Sequence, residues 1–232
     1  MRALALVTTH TQTQTHKHTH THTHTHTQHN TRRCYVAKDN LDAALDKFRA
    51  SGGAAEVEIN WKPFFIDPGT KATGEDYLAY CRRRWGGDGW TMSLPGKSQG
   101  TKFKGWKVWP NTLHAARLIH RAGVVGGWAM QHKAKGIIFR LVYEDGANVS
   151  EMKTLVAAAA EIGIPDAKAY LESDEDMVLV QKQAREASRM GITGVPFFVA
   201  YNSKEEEAEP ITLSGAQPPK AFAQCLAALA KA

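Results

Sequence analysis

The sequence is short of cysteine. Its 232 residues hold three, an odd number that builds no disulfide framework, so a reducing compartment is the expectation, and with it the cytoplasm. No apolar run approaches the ~20 residues of a membrane span. The opening Met1–Val7 is shorter than the ~7–15 residues of a secretory apolar segment and has no small-residue cleavage site behind it, so no leader and no membrane partner are expected. Acidic residues are absent from the first 33 positions. There Arg2, Lys17, Arg32 and Arg33 contribute +4 of the formal +6, which leaves residues 34–232 at +2. A body so nearly neutral is not a basic nucleic-acid domain.

What is abundant sits in one place. Residues 8–31 contain eleven Thr and eight His, with strict alternation over Thr19–Thr27. Neither face of such a strand is apolar, so nothing is buried to offset the cost of ordering it, and residues 1–33 are expected to be a disordered low-complexity tail. Histidine tracts bind transition metals weakly, but no metal site is expected. A CA dinucleotide repeat encodes Thr-His-Thr-His. The tract is therefore read as a translated repeat that displaces the natural start of the chain, a reading overturned if the 5′ end of the mature message carries and translates it.

From Cys34 the pattern becomes globular. Cys34, Leu41, Leu45 and Phe48 fall at helical spacing before Ser51-Gly52-Gly53. Val57–Trp61 alternates as a strand and is closed by Pro63 and Pro68. A short helix is expected over Tyr77–Trp85, and four packing helices over 111–122, 133–144, 150–163 and 173–190. Ser150 and Ser173 are the expected N-caps of the last two, with Asp174, Glu175 and Asp176 in the first turn of the final one. Residues 194–201 and 211–213 read as strands, and Pro219–Lys231 as an amphipathic helix.

Three stretches carry a family resemblance: Cys34-Tyr35-Val36-Ala37-Lys38-Asp39-Asn40-Leu41; Asn60-Trp61-Lys62-Pro63-Phe64-Phe65-Ile66-Asp67-Pro68; and Gly191-Ile192-Thr193-Gly194-Val195-Pro196-Phe197-Phe198 with Ser214-Gly215-Ala216-Gln217. Over residues 34–232 the chain resembles DsbA-like oxidoreductases of the FrnE type, relatives of the 2-hydroxychromene-2-carboxylate isomerases and the kappa-class glutathione transferases. The resemblance implies an α/β, thioredoxin-like fold with an inserted α-helical domain. Its parts are 34–68 and 191–232, with 69–190 as the insertion and the first strand missing or replaced. It also implies a cis-proline loop at Gly194, Val195 and Pro196 that leaves the backbone of residue 195 free for a bound chain. Asn111 and His114 fall in a segment near the family's cleft, against the plainer reading of His114 as a packing residue.

The departure lies in the family's Cys-x-x-Cys. Cys34 matches the second cysteine, Arg32 and Arg33 replace the residues between, and Thr31 stands where the attacking cysteine belongs. A dithiol exchanger needs one thiol to attack and another to resolve, so dithiol activity is not expected of this chain. Three functions stay open: a FrnE-like oxidoreductase that lacks its first cysteine, a glutathione-dependent transferase or isomerase using the Thr31 hydroxyl, and a non-catalytic peptide-binding module. The expected partners are thiol- or disulfide-containing proteins or glutathione. No cofactor is expected, glutathione entering only as a substrate. Cys34 itself, at a helix start beside two arginines, is either a reactive thiol or an inert buried one.

Overall fold

The computed structural model describes residues 2–13, 17–18, 21–28, 32–53, 55–87, 107–203 and 208–230, with only the backbone described for the strands within 2–28 and for Ala55. In chain order the elements are β1 (Arg2–Thr13), β2 (Lys17–His18), β3 (Thr21–Gln28), α1 (Arg32–Ala50), β4 (Ala55–Phe64), β5 (Glu75–Asp76), α2 (Tyr77–Trp85), β6 (Val108–Trp109), α3 (Leu113–Tyr143), α4 (Met152–Ile162), α5 (Ala167–Glu172), α6 (Met177–Arg189), β7 (Phe197–Asn202), β8 (Ile211–Ser214) and α7 (Pro219–Leu229).

The sheet is organised by the slot between β4 and β7. β3 runs parallel to β4, with Thr23 opposite Ile59, and antiparallel to β7, with His26 opposite Phe197. β1 pairs antiparallel to β4 and to β3, and parallel to β7. β8 closes the far edge antiparallel to β7. Against the expectation of a tail without regular structure over residues 1–33, the described backbone within 2–28 forms β1, β2 and β3, so the first strand is replaced by the Thr-His tract and not missing. The reason lies in the backbone. Unpaired inner edges of β4 and β7 would strand buried N–H and C=O groups, and the segment directly before α1 is the one that can fill the slot in a β-α-β crossover. Threonine, β-branched, fits a pleated backbone without needing an apolar face to recommend it.

α1 packs through Cys34, Ala37, Leu41, Ala44 and Leu45 against β4, α3 and α7 in one core that also takes in Phe139, Tyr143, Phe198 and Phe222. The two helices expected over 111–122 and 133–144 are the two limbs of α3, parted at a kink where Gly126 and Gly127 leave helical geometry and Gly127 takes φ 66°. Both limbs reach further towards the kink than their apolar periods show. α5 was not anticipated; six residues after Pro165 are too few to show a period. Neither serine caps as expected. Ser150 Oγ accepts from Asn111 N–H at 2.7 Å and donates to Asn111 C=O at 3.2 Å, while α4 starts after Glu151. Ser173 Oγ donates to Tyr170 C=O and accepts from Glu175 N–H, and the three acids precede α6, which opens after Asp176 at φ 60°. β4 runs three residues past the expected strand and through Pro63.

Among the described residues between β4 and β7, the elements are helices and the two-stranded β5–β6 ribbon, over which Tyr80 stacks on Trp109 with ring centroids 3.8 Å apart. No helix among the described residues is long and apolar enough to cross a membrane.

Candidate functional site

The site builds outward from α1. Arg32 and Arg33 open the helix, and no acidic residue lies in its first turn. Two cations at the positive helix end are unfavourable for the helix alone, but such a terminus favours an anion placed just before it. Position 31 directly precedes α1, and Thr31 lies outside the described residues. Cys34 is fully buried, so a reactive surface thiol is not what this position provides. On its inner side is Lys135, also fully buried, with Nζ 4.3 Å from the Phe139 ring centroid and 5.2 Å from that of Trp61. Burial pushes the Lys135 ammonium well below its ordinary range, and Cys34 partly opposes this. Cys81 and Cys225 are buried in separate clusters, and no disulfide joins any of the three cysteines. Burial raises the Cys225 thiol to about 12.

A chain of hydrogen bonds ties α1 to the proline loop. Asn40 Nδ2 donates to Gln217 C=O at 2.8 Å, Gln217 N–H to Gly215 C=O, and Gly215 N–H to Pro196 C=O at 2.8 Å. Gly215 takes φ 82°, which a side chain would resist. The Val195–Pro196 peptide bond is cis. The Val195 side chain packs against the cluster of Phe64, Ala187 and Ile192, while its backbone N–H and C=O make no hydrogen bond among the described residues. Asn40 of α1 and Pro196 are therefore joined through Gln217 and Gly215, and residue 195 presents a donor and an acceptor that have no partner among the described residues.

Asn111 and His114 stand at the start of α3. Asn111 Oδ1 accepts from Leu113 N–H at 3.0 Å and its Nδ2 donates to Thr70 C=O at 2.9 Å, so the side chain pins the start of α3. It also lines a cavity of about 280 Å³ between the end of β4, the turn before α3 and α6. His114 Nδ1 accepts from Arg117 Nη1 at 2.8 Å. Burial, and then Arg117, lower its pKa, which keeps it a neutral acceptor. The packing reading of His114 is the one this geometry favours.

Nothing in the local sequence pattern announced a half-buried polar cluster between α1 and α3. Trp61 Nε1 donates to His132 Nδ1 at 3.0 Å, His132 Nε2 donates to Asp42 at 2.8 Å, and Lys38 Nζ donates to the other Asp42 oxygen at 2.7 Å. Gly136 leaves room for Lys38, whose tip lies 3.4 Å from where a Cβ would sit. This cluster lines a second cavity of about 450 Å³. Burial would raise the Asp42 carboxyl, but the His132 and Lys38 bonds outweigh it and hold the group at about 2. Burial, then Lys38, lower the His132 pKa. Both groups bind protons less readily folded than unfolded. Stability therefore falls as pH drops below the ordinary histidine value of ~6.5, and again from ~4 towards 2. Thermal melts should show the midpoint falling from pH 7.5 to 5. His132→Gln should flatten that slope without abolishing it, because burial lowers His114 and His120 as well. A pH-independent midpoint over that range would contradict the assignment.

Among the described residues no three His, Cys, Asp or Glu side chains gather as a metal set. In comparison with known proteins, residues 33–227 match the model of the DSBA-like thioredoxin domain. No curated protein matches the chain.

Proposed function

The chain belongs to the DSBA-like thioredoxin family, a thiol–disulfide oxidoreductase type of family, and from that premise we propose that it engages thiol- or disulfide-containing proteins at its cis-proline loop without dithiol turnover of its own. Within the family we assign it to the FrnE type, on the Trp61–Pro68 stretch and the Gly-Val-Pro-Phe-Phe loop.

One observation carries this reading. The cysteine at the head of α1 is fully buried, and the other two are buried in different clusters. Attack on a disulfide needs an accessible thiolate, and release of the mixed disulfide needs a second thiol within reach. What is left is the binding half of the apparatus: the unpaired backbone of Val195 in a loop tied to α1. Three thiols with no disulfide among them fit the reducing conditions of the cytoplasm, which we propose as its location.

An insulin-reduction assay tests this. With dithiothreitol present, the chain should not shorten the onset of insulin turbidity, and added glutathione should not change that. Acceleration beyond the dithiothreitol control overturns the reading. Turnover of glutathione conjugates lost in Thr31→Ala would instead favour the hydroxyl-based transferase.

A further inference from the structure

The 280 Å³ cavity holds polar groups that the fold leaves unused. Phe65, Pro68, Pro110 and Leu113 give it apolar walls. Its one carboxylate, Asp67, is already held by Arg83 Nη2 at 2.9 Å, and Asn111 is spent on Thr70 and Leu113. Three wall residues differ. Thr112 is 3% exposed, and its hydroxyl makes no cap or other hydrogen bond among the described residues. Gln181 and Arg185, one turn apart on α6, make no side-chain hydrogen bond or ion pair among the described residues. Arg185 is thus the one charged wall residue without a counter-ion there.

A guanidinium is a planar fork matched to a carboxylate, and a hydroxyl that the fold leaves without a partner can donate to an acceptor that arrives. Apolar walls with a few convergent polar groups are how ligand pockets fix orientation. We propose that this cavity binds a carboxylate carried on an apolar stem, Arg185 pairing with the carboxylate and Thr112 and Gln181 donating to it. The carboxylate belongs either to a free small acid or to the C-terminus of a peptide lying along the proline loop, because Val195 packs against the cluster that contains Phe64, the chain neighbour of wall residue Phe65. Binding requires no reaction at Cys34, so it stands whatever the insulin assay returns.

Calorimetric titration of the full chain with 3-phenylpropionate, its amide, and a phenylalanine-terminated tetrapeptide as free acid or amide tests the proposal. Phenylpropionate should bind saturably and its amide at least tenfold more weakly. Arg185→Gln, at an exposed position that leaves the core untouched, should weaken the acid at least tenfold, and Thr112→Val about threefold, with circular dichroism unchanged. A tetrapeptide acid that displaces phenylpropionate while its amide does not identifies a peptide terminus as the source. Binding of the small acid alone identifies a free acid. The proposal is overturned if acid and amide bind alike, if Arg185→Gln changes nothing, or if neither acid binds.

Discussion

Thr31→Cys should turn the chain into a dithiol–disulfide catalyst, raising insulin reduction from the dithiothreitol background by at least an order of magnitude. The substitution recreates Cys-x-x-Cys with Cys34 as its second member. The new thiol precedes α1 at the positive end of the helix, beside Arg32 and Arg33. Those conditions pull a thiol from about 8.5 down to the range of ~3.5–7.5 seen in such motifs. The same two arginines that disfavour the start of the helix would then stabilise a thiolate. Iodoacetamide at pH 7 should label the introduced thiol at least tenfold faster than it labels the buried Cys34 of the parent chain. The double variant Thr31→Cys, Cys34→Ser should attack but not resolve, accumulating mixed disulfides with reduced-and-reoxidised insulin chains. A folded Thr31→Cys chain that neither labels quickly nor reduces insulin would show that the head of α1 no longer serves the proline loop, and the proposed function would fall with it.

The second large effect is on stability. Arg117 is fully buried on α3, and all five of its N–H donors are used. Nε reaches Glu175 C=O at 2.9 Å, Nη1 reaches Leu171 C=O at 3.1 Å and His114 Nδ1, and Nη2 reaches Tyr170 C=O and Ser173 C=O, both at 2.7 Å. The guanidinium also lies 4.9 Å from the Tyr170 ring centroid. It thereby closes the end of α5, a helix too short to hold itself, and the turn into α6. Arg117→Met fills similar space but leaves four carbonyls without that partner. A buried acceptor left without its donor costs about 1–3 kcal/mol, so the four together outweigh the apolar gain by about 3–5 kcal/mol. At roughly 2–4 °C per kcal/mol for a chain of this size, the midpoint should fall by about 10 °C. Loss of Arg117 also lifts one of the causes that lower His114, so the His114 ring should titrate at higher pH by NMR. A midpoint within about 2 °C of the parent would show that water replaces the guanidinium at little cost.

Both sites show where sequence reasoning reaches and where it stops. The thioredoxin-like halves were legible because α1, β4, β7, β8 and α7 repeat their apolar residues with one clear period each. The proline loop was legible because Gly-Val-Pro-Phe-Phe is locally distinctive. Arg117 and Lys135 left a faint trace: a cation within an otherwise apolar stretch, Ala115-Ala116-Arg117-Leu118-Ile119 and Ala134-Lys135-Gly136-Ile137. Their partners lie up to 58 residues away for Arg117, and His132 meets Asp42 across 90. No local pattern encodes such pairings. β3 was misjudged for the opposite reason. The alternation was plain, but its apolar content was weighed where backbone pairing decides.

The β5–β6 ribbon has a consequence for how this protein can vary. Glu75 pairs with Trp109 and Asp76 with Val108, Trp109 Nε1 donates to Thr70, and Tyr80 stacks on Trp109, so the chain leaving at Gly87 and returning at Lys107 is clasped at its base. Trp109 therefore joins the ribbon to the cavity: it holds Thr70 through its indole N–H and is followed directly by Pro110, both of them wall residues. A substitution at Trp109 would be felt on that wall from two sides at once.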